Sequence, residues 1–189
     1  MRIISGTAKG TKLYTLDGLE TRPTLDRVKE SLFNIIFNEI TDSTVLDLFS
    51  GSGAIGLEFA SRGAKEVYLC DKSKDACKII NKNIEKTHLE EKVKLLNMDF
   101  VKAIREVKNI RFDIIYLDPP YKTDFIKIAI EELLKTEGLT EDTLIIAETD
   151  EEKKIIDQIE KIKEIKIVDK RKYGRAYMLF LKKMNGKDE

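Results

Sequence analysis

The residues best suited to chemistry begin in the segment D-L-F-S-G-S-G-A-I-G (47–56), whose glycines follow the pattern G-x-G-x-x-G. Glycines at this spacing let the backbone turn sharply from a strand into a helix, and the N-terminus of that helix attracts negative charge. Asp71 closes the next apolar run, 20 residues after Gly51, where an acid can hold ribose hydroxyls. The segment therefore predicts a nucleotide-containing cofactor. The alternative is a tight strand-to-helix turn followed by an incidental acid.

Asp47 distinguishes two classes of cofactor, because it lies on the strand that precedes the glycines. A carboxylate facing the pocket suits a ligand with a positively charged amino-acid head group and repels the pyrophosphate of a dinucleotide. S-adenosylmethionine carries an ammonium, a sulfonium, a ribose and an adenine, so these residues favour it. Asp99 follows the run 92–97 and can accept a hydrogen bond from the adenine amino group. It can also be the N-cap of the next helix, and the two roles are compatible.

A second candidate site is the tetrapeptide D-P-P-Y (118–121), which contains two of the three prolines in the chain. Paired prolines after a strand fix a rigid turn and remove backbone donors, which leaves carbonyls to face a ligand. The alternative is a strand-ending turn with a buried tyrosine. Ligands of open α/β sheets bind at the carboxyl ends of the strands, where the glycine segment also lies. The two segments together therefore indicate one site.

D-P-P-Y resembles the motif [D/N]-P-P-[Y/F/W] of methyltransferases that modify exocyclic or planar amide nitrogens. Such a nitrogen is a poor nucleophile, because its lone pair is delocalised. Hydrogen bonds from its N–H groups to a carboxylate and a proline carbonyl can orient it, and an aromatic face can stack an extruded base. Asp118 can accept two parallel bonds from N1–H and N2–H of guanine, although methyltransferases that act on adenine also use Asp.

Short β-rich runs alternate with helical runs from residue 44 onward, which predicts βαβ units and a parallel sheet with helices on both faces. The predicted strands span 44–49, 66–71, 92–97, 112–118, 143–148, 164–170 and 176–182. The predicted helices span 54–62, 73–86, 99–107, 124–136 and 151–161. Only 170–175 separates the last two strands, and so short a connection requires an antiparallel pair. We therefore expect a mostly parallel seven-stranded sheet whose last strand is antiparallel.

An N-terminal β-hairpin is predicted ahead of this unit, with arms at 2–5 and 12–16 around a glycine turn. A helix follows, with Thr24 as its predicted N-cap and Asp26 in its first turn. Its apolar residues recur at helical spacing and predict one buried face: Val28, Leu32, Ile35 and Ile36. The expected organisation is a hairpin extension over 1–20 and one catalytic domain over 21–189.

Length and composition exclude several classes of protein. The chain has 189 residues, 42% hydrophobic and 36% charged, which excludes a disordered tail or a fibre and suits one domain. Its 34 basic and 34 acidic residues balance, and no apolar run approaches the roughly 20 residues of a membrane span. The N-terminus lacks a secretory signal, so a cytoplasmic protein is expected. Cys70 and Cys77 are interpreted as packing residues and His88 as a surface residue, and no metal site is expected.

Four blocks of sequence resemble the RsmD family of bacterial 16S ribosomal RNA (guanine-N2)-methyltransferases. They are R-I-I-S-G-T-A-K-G-T-K-L (2–13), R-P-T-L-D-R-V-K-E-S-L-F-N (22–34), V-L-D-L-F-S-G-S-G-A-I-G-L-E (45–58) and F-D-I-I-Y-L-D-P-P-Y (112–121). Their order and spacing continue to Tyr173-Gly174, so the resemblance covers nearly the whole chain. It implies a Rossmann-like methyltransferase fold, S-adenosylmethionine as methyl donor, and 16S rRNA in a small-subunit assembly intermediate as substrate. A monomer is expected.

The resemblance and the residue chemistry together assign three groups of site residues. The residues assigned to the cofactor are Asp47, Phe49, Gly51, Ser52, Gly53, Gly56, Asp71, Lys72, Asp99 and Phe100. Asp118, Pro119, Pro120 and Tyr121 are assigned to positioning and stacking the target guanine. The residues assigned to the RNA and the mouth of the site are Arg2, Lys9, Lys12, Arg22, Thr24 and Arg27. For the hairpin cations the alternative is ordinary surface charge, and the basic C-terminal stretch 163–183 is a second candidate for the RNA-binding face.

Two other functions compete with this one. The first keeps the fold and changes the acceptor to DNA adenine or to a protein glutamine amide. The absence of an added target-recognition domain in 189 residues disfavours DNA, and a glutamine methyltransferase would more naturally carry Asn at position 118. The second is a non-catalytic RNA-binding module, which the complete set of acids and the D-P-P-Y motif disfavour.

Overall fold

The computed structural model describes residues 1–16, 23–120 and 122–184. Its core is a seven-stranded sheet in which long apolar runs form the central strands, as expected where helices cover both faces of a parallel sheet. The strands are β1 (Thr44–Asp47), β2 (Glu66–Cys70), β3 (Val93–Leu96), β4 (Ile114–Leu117), β5 (Leu144–Thr149), β6 (Ile165–Tyr173) and β7 (Ala176–Lys183). The helices are α1 (Pro23–Ile35), α2 (Phe37–Ile40), α3 (Ala54–Ser61), α4 (Lys74–Thr87), α5 (Phe100–Glu106), α6 (Phe125–Leu133) and α7 (Glu152–Ile159).

The strand order across the sheet is β3-β2-β1-β4-β5-β7-β6. Neighbouring strands from β3 to β5 pair in parallel, whereas β7 pairs antiparallel with both β5 and β6. The predicted fold class and its antiparallel last strand are therefore confirmed. Because β1, β2, β4 and β5 are parallel, their carboxyl ends meet at one edge of the sheet.

Two apolar clusters fill the two faces of the sheet. The first packs α1, α3, α4 and the N-terminal segment on one face, and the second packs α5, α6 and α7 on the other. Cys70 and Cys77 are buried free thiols, as predicted for packing residues. His88 is exposed and ends α4 in the left-handed conformation. No helix within the described residues is long and apolar enough to cross a membrane.

Helix α1 differs from its prediction at two residues. It begins at Pro23, so Thr24 lies inside the first turn and is not its N-cap; a proline suits the first helical position, where its missing N–H has no helical acceptor. Val28, Leu32 and Ile36 face inward as expected, but Ile35 is 43% exposed. Phe33 is fully buried instead. The buried face of α1 contains Lys29, Leu32 and Phe33, because residues three and four positions apart lie on the same side of a helix.

The N-terminal segment forms a minimal hairpin. A single antiparallel bridge joins Arg2 and Lys12, and the Ile3 N–H donates to the Thr11 carbonyl at 3.0 Å. Ile3 and Leu13 are buried in the first apolar cluster, so the segment is part of the same core as the sheet. The division of the chain at residues 20 and 21 stays a prediction, because 17–22 lies outside the described residues. The one-turn helix α2 was not predicted.

Candidate active site

Acidic side chains end four neighbouring parallel strands at one edge of the sheet. Asp47 is the last residue of β1, Asp71 follows β2, Asp118 follows β4 and Glu148 lies near the end of β5. Two cavities of about 420 Å³ and 260 Å³ open at this edge. Phe49, Gly51 and Asp118 line both cavities. The predicted glycine segment and residues 118–120 of the predicted D-P-P-Y segment therefore border one continuous site.

The glycine segment turns the chain from β1 into α3. Gly51 and Gly53 have φ angles of 55° and 79°, the left-handed region that glycine adopts without steric cost. The Gly51 N–H donates to Asp71 Oδ2 at 3.0 Å, and the Ser73 N–H donates to Asp71 Oδ1 at 2.8 Å. Asp71 thereby fixes the loop, and each of its oxygens keeps a lone pair for a ribose hydroxyl.

The three glycines of the motif have different roles. No atom lies within 4 Å of a Cβ built on Gly51, so a ligand can approach the main chain there. A Cβ on Gly56 would lie 2.0 Å from the Leu69 Cδ2 atom, because α3 packs closely on β2. Gly53 likewise lies against Leu69 and Ile80. Gly53 and Gly56 were assigned to the cofactor, but they contact the side chains beneath the loop. Neither residue lines one of the two cavities described above.

The larger cavity is lined by nine of the predicted site residues and by one aromatic cluster. Asp99 is the N-cap of α5, where its Oδ1 accepts the Val101 N–H at 3.0 Å. Phe49 and Phe100 rings lie 5.1 Å apart, and the Phe125 ring stacks parallel to Phe49 at 6.2 Å. The remaining predicted residues on its wall are Gly51, Asp71, Lys72, Pro119 and Pro120, together with Asp118. The cavity thus combines aromatic rings, which can contact an adenine, with the carboxylates of Asp71 and Asp99, which can bind the ribose and the adenine amino group. Its volume suits a nucleoside.

Asp47 lies at the base of the smaller cavity with 1% of its surface exposed. Its Oδ1 accepts the Phe49 N–H at 3.4 Å, and no cation within the described ranges forms an ion pair with it. Burial raises the pKa of Asp47 to about 7, and the nearby Asp71 adds to the rise. An ammonium group would stabilise the ionised carboxylate here, which is the property predicted for the cofactor head-group site. Ser52 lines the same cavity.

The D-P-P segment lies where the two cavities meet. The Asp118 carboxyl is largely enclosed, Pro119 is buried and Pro120 is exposed. The Thr123 hydroxyl donates to the Pro120 carbonyl at 2.9 Å. Pro119 also lines the larger cavity, and its carbonyl is the acceptor that we expect a substrate amine to use. Tyr121 lies outside the described residues.

Two residues of the smaller cavity were missed by the sequence analysis. The Tyr116 hydroxyl donates to Glu148 Oε2 at 2.7 Å, and both residues line the cavity beside Asp118. Burial is the main cause that raises the pKa values of Asp118 and Glu148, and the charge of Glu148 further raises that of Asp118. Glu148 could have been found, because it closes an apolar run in the same way as Asp47 and Asp118.

The residues assigned to the RNA are spread over one flank of the site. Arg2 forms an ion pair with Asp26 at 3.4 Å beside Met1, which lines the smaller cavity. Arg27, Lys9 and Lys12 are exposed. The turn that carries Lys9 packs on the last residue of α3, since the Ala8 N–H donates to Ser61 Oγ at 3.0 Å. That end of α3 points away from the cavities. Arg22 and the Thr24 side chain lie outside the described residues.

Comparisons with known proteins agree with this geometry. The family model described as "Conserved hypothetical protein 95" matches residues 1–182. The protein named "Ribosomal RNA small subunit methyltransferase D" of Haemophilus influenzae is 35% identical over 158 residues, 82% of this chain and 82% of its own length. The protein of that name from Escherichia coli K12 is 33% identical over 152 residues, 80% of this chain and 76% of its own.

Solved structures share the fold. The yhhF protein of Escherichia coli superposes with a TM-score of 0.80 at 26% identity and covers 97% of each chain. A ribosomal protein L11 methylase from Lactobacillus delbrueckii superposes with a TM-score of 0.69 at 21% identity, which shows the fold alone. It covers 82% of this chain and 77% of its own.

The fold and the site define a methyltransferase of the class that uses S-adenosylmethionine. The chain belongs to the family matched over residues 1–182, and its resemblance to the RsmD type is confirmed.

We expect S-adenosylmethionine to bind without a divalent ion, and more tightly as the pH rises through about 7, the pKa of Asp47. Below that pH Asp47 is mostly protonated and has no charge for the ammonium group, whereas the bound ligand favours the ionised carboxylate. Asp47→Asn should weaken binding by about 10-fold or more and flatten the pH dependence, because a hydrogen bond to a charged group is lost.

Calorimetry in the presence of a chelator, at several pH values, measures both effects. The exposed α7 variant Asp157→Asn is the matched control and should bind like the natural protein. Binding that only a divalent ion restores would contradict the first expectation. An affinity independent of pH would contradict the second.

Proposed function

We propose that the protein transfers a methyl group from S-adenosylmethionine to the exocyclic N2 amine of a guanine in 16S rRNA. The observation that carries the proposal is the position of Asp118, which lines both the larger, nucleoside-sized cavity and the smaller cavity beside it. A cofactor whose nucleoside lies in the larger cavity and whose amino-acid head group reaches Asp47 in the smaller one would pass Asp118, where a flipped base would meet its methyl group. The family relatives named as small-subunit rRNA methyltransferases support an rRNA acceptor.

The chain positions the acceptor nitrogen with two groups. Asp118 accepts hydrogen bonds from the amine and its ring neighbour, and the Pro119 carbonyl accepts the remaining amine hydrogen. These bonds fix the plane of the amino group and turn its lone pair towards the methyl carbon. S-adenosylmethionine supplies an activated methyl group when it is bound.

Guanine fits this arrangement better than the other amino bases. Its N1–H and N2–H are parallel donors, and a carboxylate offers two parallel acceptors, whereas an amide offers one acceptor and one donor. A base can reach a site of this depth only when it is extruded from its stack, so Tyr121 is proposed as its stacking partner.

A protein glutamine acceptor is less well supported. The protein named "Release factor glutamine methyltransferase" from Borreliella burgdorferi is 40% identical over 77 residues, but these are 41% of this chain and 26% of that protein. The matching part is too short to carry the acceptor specificity of the whole protein. A planar amide also presents one acceptor oxygen that an Asp at position 118 would repel.

A methyl-transfer assay with labelled donor tests the proposal. Naked 16S rRNA, unmethylated small subunits, DNA and a protein extract are supplied side by side, and the modified nucleoside is identified after digestion. We expect N2-methylguanine in 16S rRNA, with higher activity on a small-subunit assembly intermediate. Label in DNA or protein alone would contradict the proposal. We further propose that the enzyme acts as a cytoplasmic monomer, which sedimentation and fractionation measure.

The RNA is proposed to contact the N-terminal hairpin and the start of α1. Charge reversal of Lys9 and Lys12 together should weaken RNA binding and leave cofactor binding unchanged. Each lost phosphate contact should lower the log–log salt slope by about 0.7–0.9. Filter binding at several salt concentrations measures both quantities. The matched control reverses Lys102 and Lys108, which are exposed on the opposite face of the sheet.

Unchanged RNA affinity and slope in the Lys9 and Lys12 variant would contradict this part of the proposal. The C-terminal hairpin would then be the better candidate. Its tip is fixed beside α1, because the hydroxyls of Tyr173 and Ser31 lie 2.8 Å apart. Its cations are partly neutralised: Arg171 pairs with Asp169 at 2.9 Å and Lys170 pairs with Glu152.

A further inference from the structure

The smaller cavity contains a carboxyl group for which the proposed reaction has no role so far. Glu148 lies on β5, and the register pairs Leu117 with Ala147, so Asp118 and Glu148 follow next to each other on adjacent strands. Both side chains line the 260 Å³ cavity. Two buried acids at adjacent positions repel each other, so an arrangement of this kind has a cost in folding stability. Clusters of buried acids with perturbed pKa values are therefore typical of catalytic and binding sites.

Glu148 is held in place by a specific hydrogen bond. The Tyr116 hydroxyl donates to Glu148 Oε2 at 2.7 Å, and the Tyr116 ring is 2% exposed. On the other side of Glu148 the register places Met178 of β7, which is 1% exposed and apolar. The carboxyl group is therefore confined between a donor and an apolar side chain, and it faces Asp118.

The charges that face this pair do not neutralise it. Asp47 of β1 lines the same cavity and is itself an acid. Lys29 of α1 also lines it, but its ammonium lies 2.9 Å from Glu58 and forms its ion pair there. Met1 also lines the cavity, but the charges that act on its amino group are those of Asp26, Lys29 and Arg2. Within the described ranges neither Asp118 nor Glu148 forms an ion pair, so the negative charge of one acid strengthens the affinity of the other for a proton.

We infer that Glu148, held by Tyr116, is a positioning residue that keeps Asp118 a strong base towards the acceptor amine. The inference rests on the proposed function, because it gives Asp118 its partner in that reaction. Glu148 touches neither the acceptor nor the methyl group. It acts through the charge that it places beside Asp118.

The reaction has a proton to dispose of. As the bond from N2 to the methyl carbon forms, the bond from that carbon to sulfur breaks and its electron pair stays on sulfur. The nitrogen then carries one proton too many, and this proton passes to the Asp118 carboxylate. An ionised Glu148 nearby makes Asp118 a stronger proton acceptor, and the proton afterwards leaves Asp118 for solvent.

Glu148→Gln should change the pH dependence of the enzyme and not only its rate. Without the charge of Glu148, the pKa of Asp118 falls, and the acid limb of kcat/KM moves to lower pH by about one unit or more. The plateau falls about 10-fold at the same time, because a weaker base accepts the proton less readily. The matched control is Glu39→Gln, an exposed glutamate at the opposite edge of the sheet, which should leave the profile unchanged.

Tyr116→Phe provides a second variant that removes only one hydroxyl. The ionised form of Glu148 then loses its donor, so Glu148 is protonated more readily and repels an ionised Asp118 less. The acid limb should move in the same direction as in Glu148→Gln, by a smaller amount. Cofactor affinity, measured by calorimetry, should stay within a few-fold in both variants.

A titration of the ligand-free protein separates this inference from the proposed function. The side-chain ¹³C signal of Asp118 is identified by its loss in Asp118→Asn, and its midpoint should fall in Glu148→Gln. An unmoved midpoint and an unmoved acid limb would overturn the inference, even if Asp118→Asn is inactive. If the natural protein forms no N2-methylguanine in 16S rRNA, the proposed function fails, whatever the two titrations show. If Glu148→Gln does not fold, Tyr116→Phe decides by the same two measurements.

Discussion

Replacing Asp118 by Asn or Ala is expected to lower methyl transfer by about 10³-fold or more while cofactor affinity stays within several-fold. Asp118 lines both cavities and lies directly after β4, where the proposed reaction places the acceptor. An Asn keeps the size of the side chain but presents an N–H₂ group to guanine donors, so it should be nearly as inactive as Ala. The loss should appear in kcat, because the bonds strengthen as the amine is aligned and begins to lose its proton.

Single-turnover assays with labelled donor measure the chemical step, and calorimetry measures cofactor binding. Asp157→Asn provides a change of the same chemistry at an exposed position of α7. Near-normal turnover of Asp118→Asn would remove Asp118 from the mechanism. A large loss of cofactor affinity would instead place Asp118 in the donor site.

The parts of the fold that could be predicted depend on local signals. The central strands are buried on both faces and so appear as apolar runs, and the glycine segment marks the turn from β1 into α3. The antiparallel pairing of β6 and β7 could be predicted because the connection between them is too short for a parallel crossover. The order of the strands could not be derived in this way, because it depends on which strands pair, and a single sequence contains no local record of that.

The same distinction explains the outcome at the candidate site. Asp47, Asp71, Asp99 and Asp118 were found because each closes an apolar run next to a turn or a helix start. Glu148 ends such a run too, but its importance comes from the neighbouring strand β4, which brings it next to Asp118. Tyr116 was missed for the same reason, since its partner Glu148 is 32 residues away.

Individual errors also have physical causes. Ile35 was assigned to the buried face of α1 by its hydrophobicity, yet the helix turns that position towards solvent and buries Phe33. The turn that carries Lys9 packs on Ser61, at the end of α3 that points away from the cavities, and the sequence did not indicate this contact. Both positions depend on how an element docks, which periodicity alone does not determine.

A second large effect is expected in folding stability and arises from Glu58 of α3, whose carboxylate is fully buried. It accepts the Ile4 N–H at 2.8 Å and the Ser5 N–H at 3.0 Å. It also forms ion pairs with Lys29 at 2.9 Å and Arg62 at 2.7 Å. One side chain thus joins α3 to α1 and to the N-terminal segment.

Glu58→Gln should destabilise the protein by about 3–5 kcal/mol, since it leaves a buried ammonium without its counter-ion. The amide also turns a donor towards groups that are themselves donors. At this chain length the melting temperature should fall by about 6–20 °C. Urea unfolding gives the free energy of unfolding, and Glu39→Gln, an exposed change of the same chemistry, should stay within about 0.5 kcal/mol.

Lys29→Met separates the ion pair from the backbone contacts of Glu58. It removes the buried ammonium, whose pKa is lowered mainly by its burial, and leaves Glu58 with Arg62 and the two backbone N–H groups. Its cost should therefore be smaller than that of Glu58→Gln, about 1–3 kcal/mol. At least one of the Ile4 and Ser5 amides should exchange faster with solvent in Glu58→Gln but not in Lys29→Met, because only the first variant replaces one of their two acceptor oxygens by an NH₂ group. An equal cost for both variants, with unchanged exchange at Ile4 and Ser5, would show that Glu58 does not hold the N-terminal segment on α3.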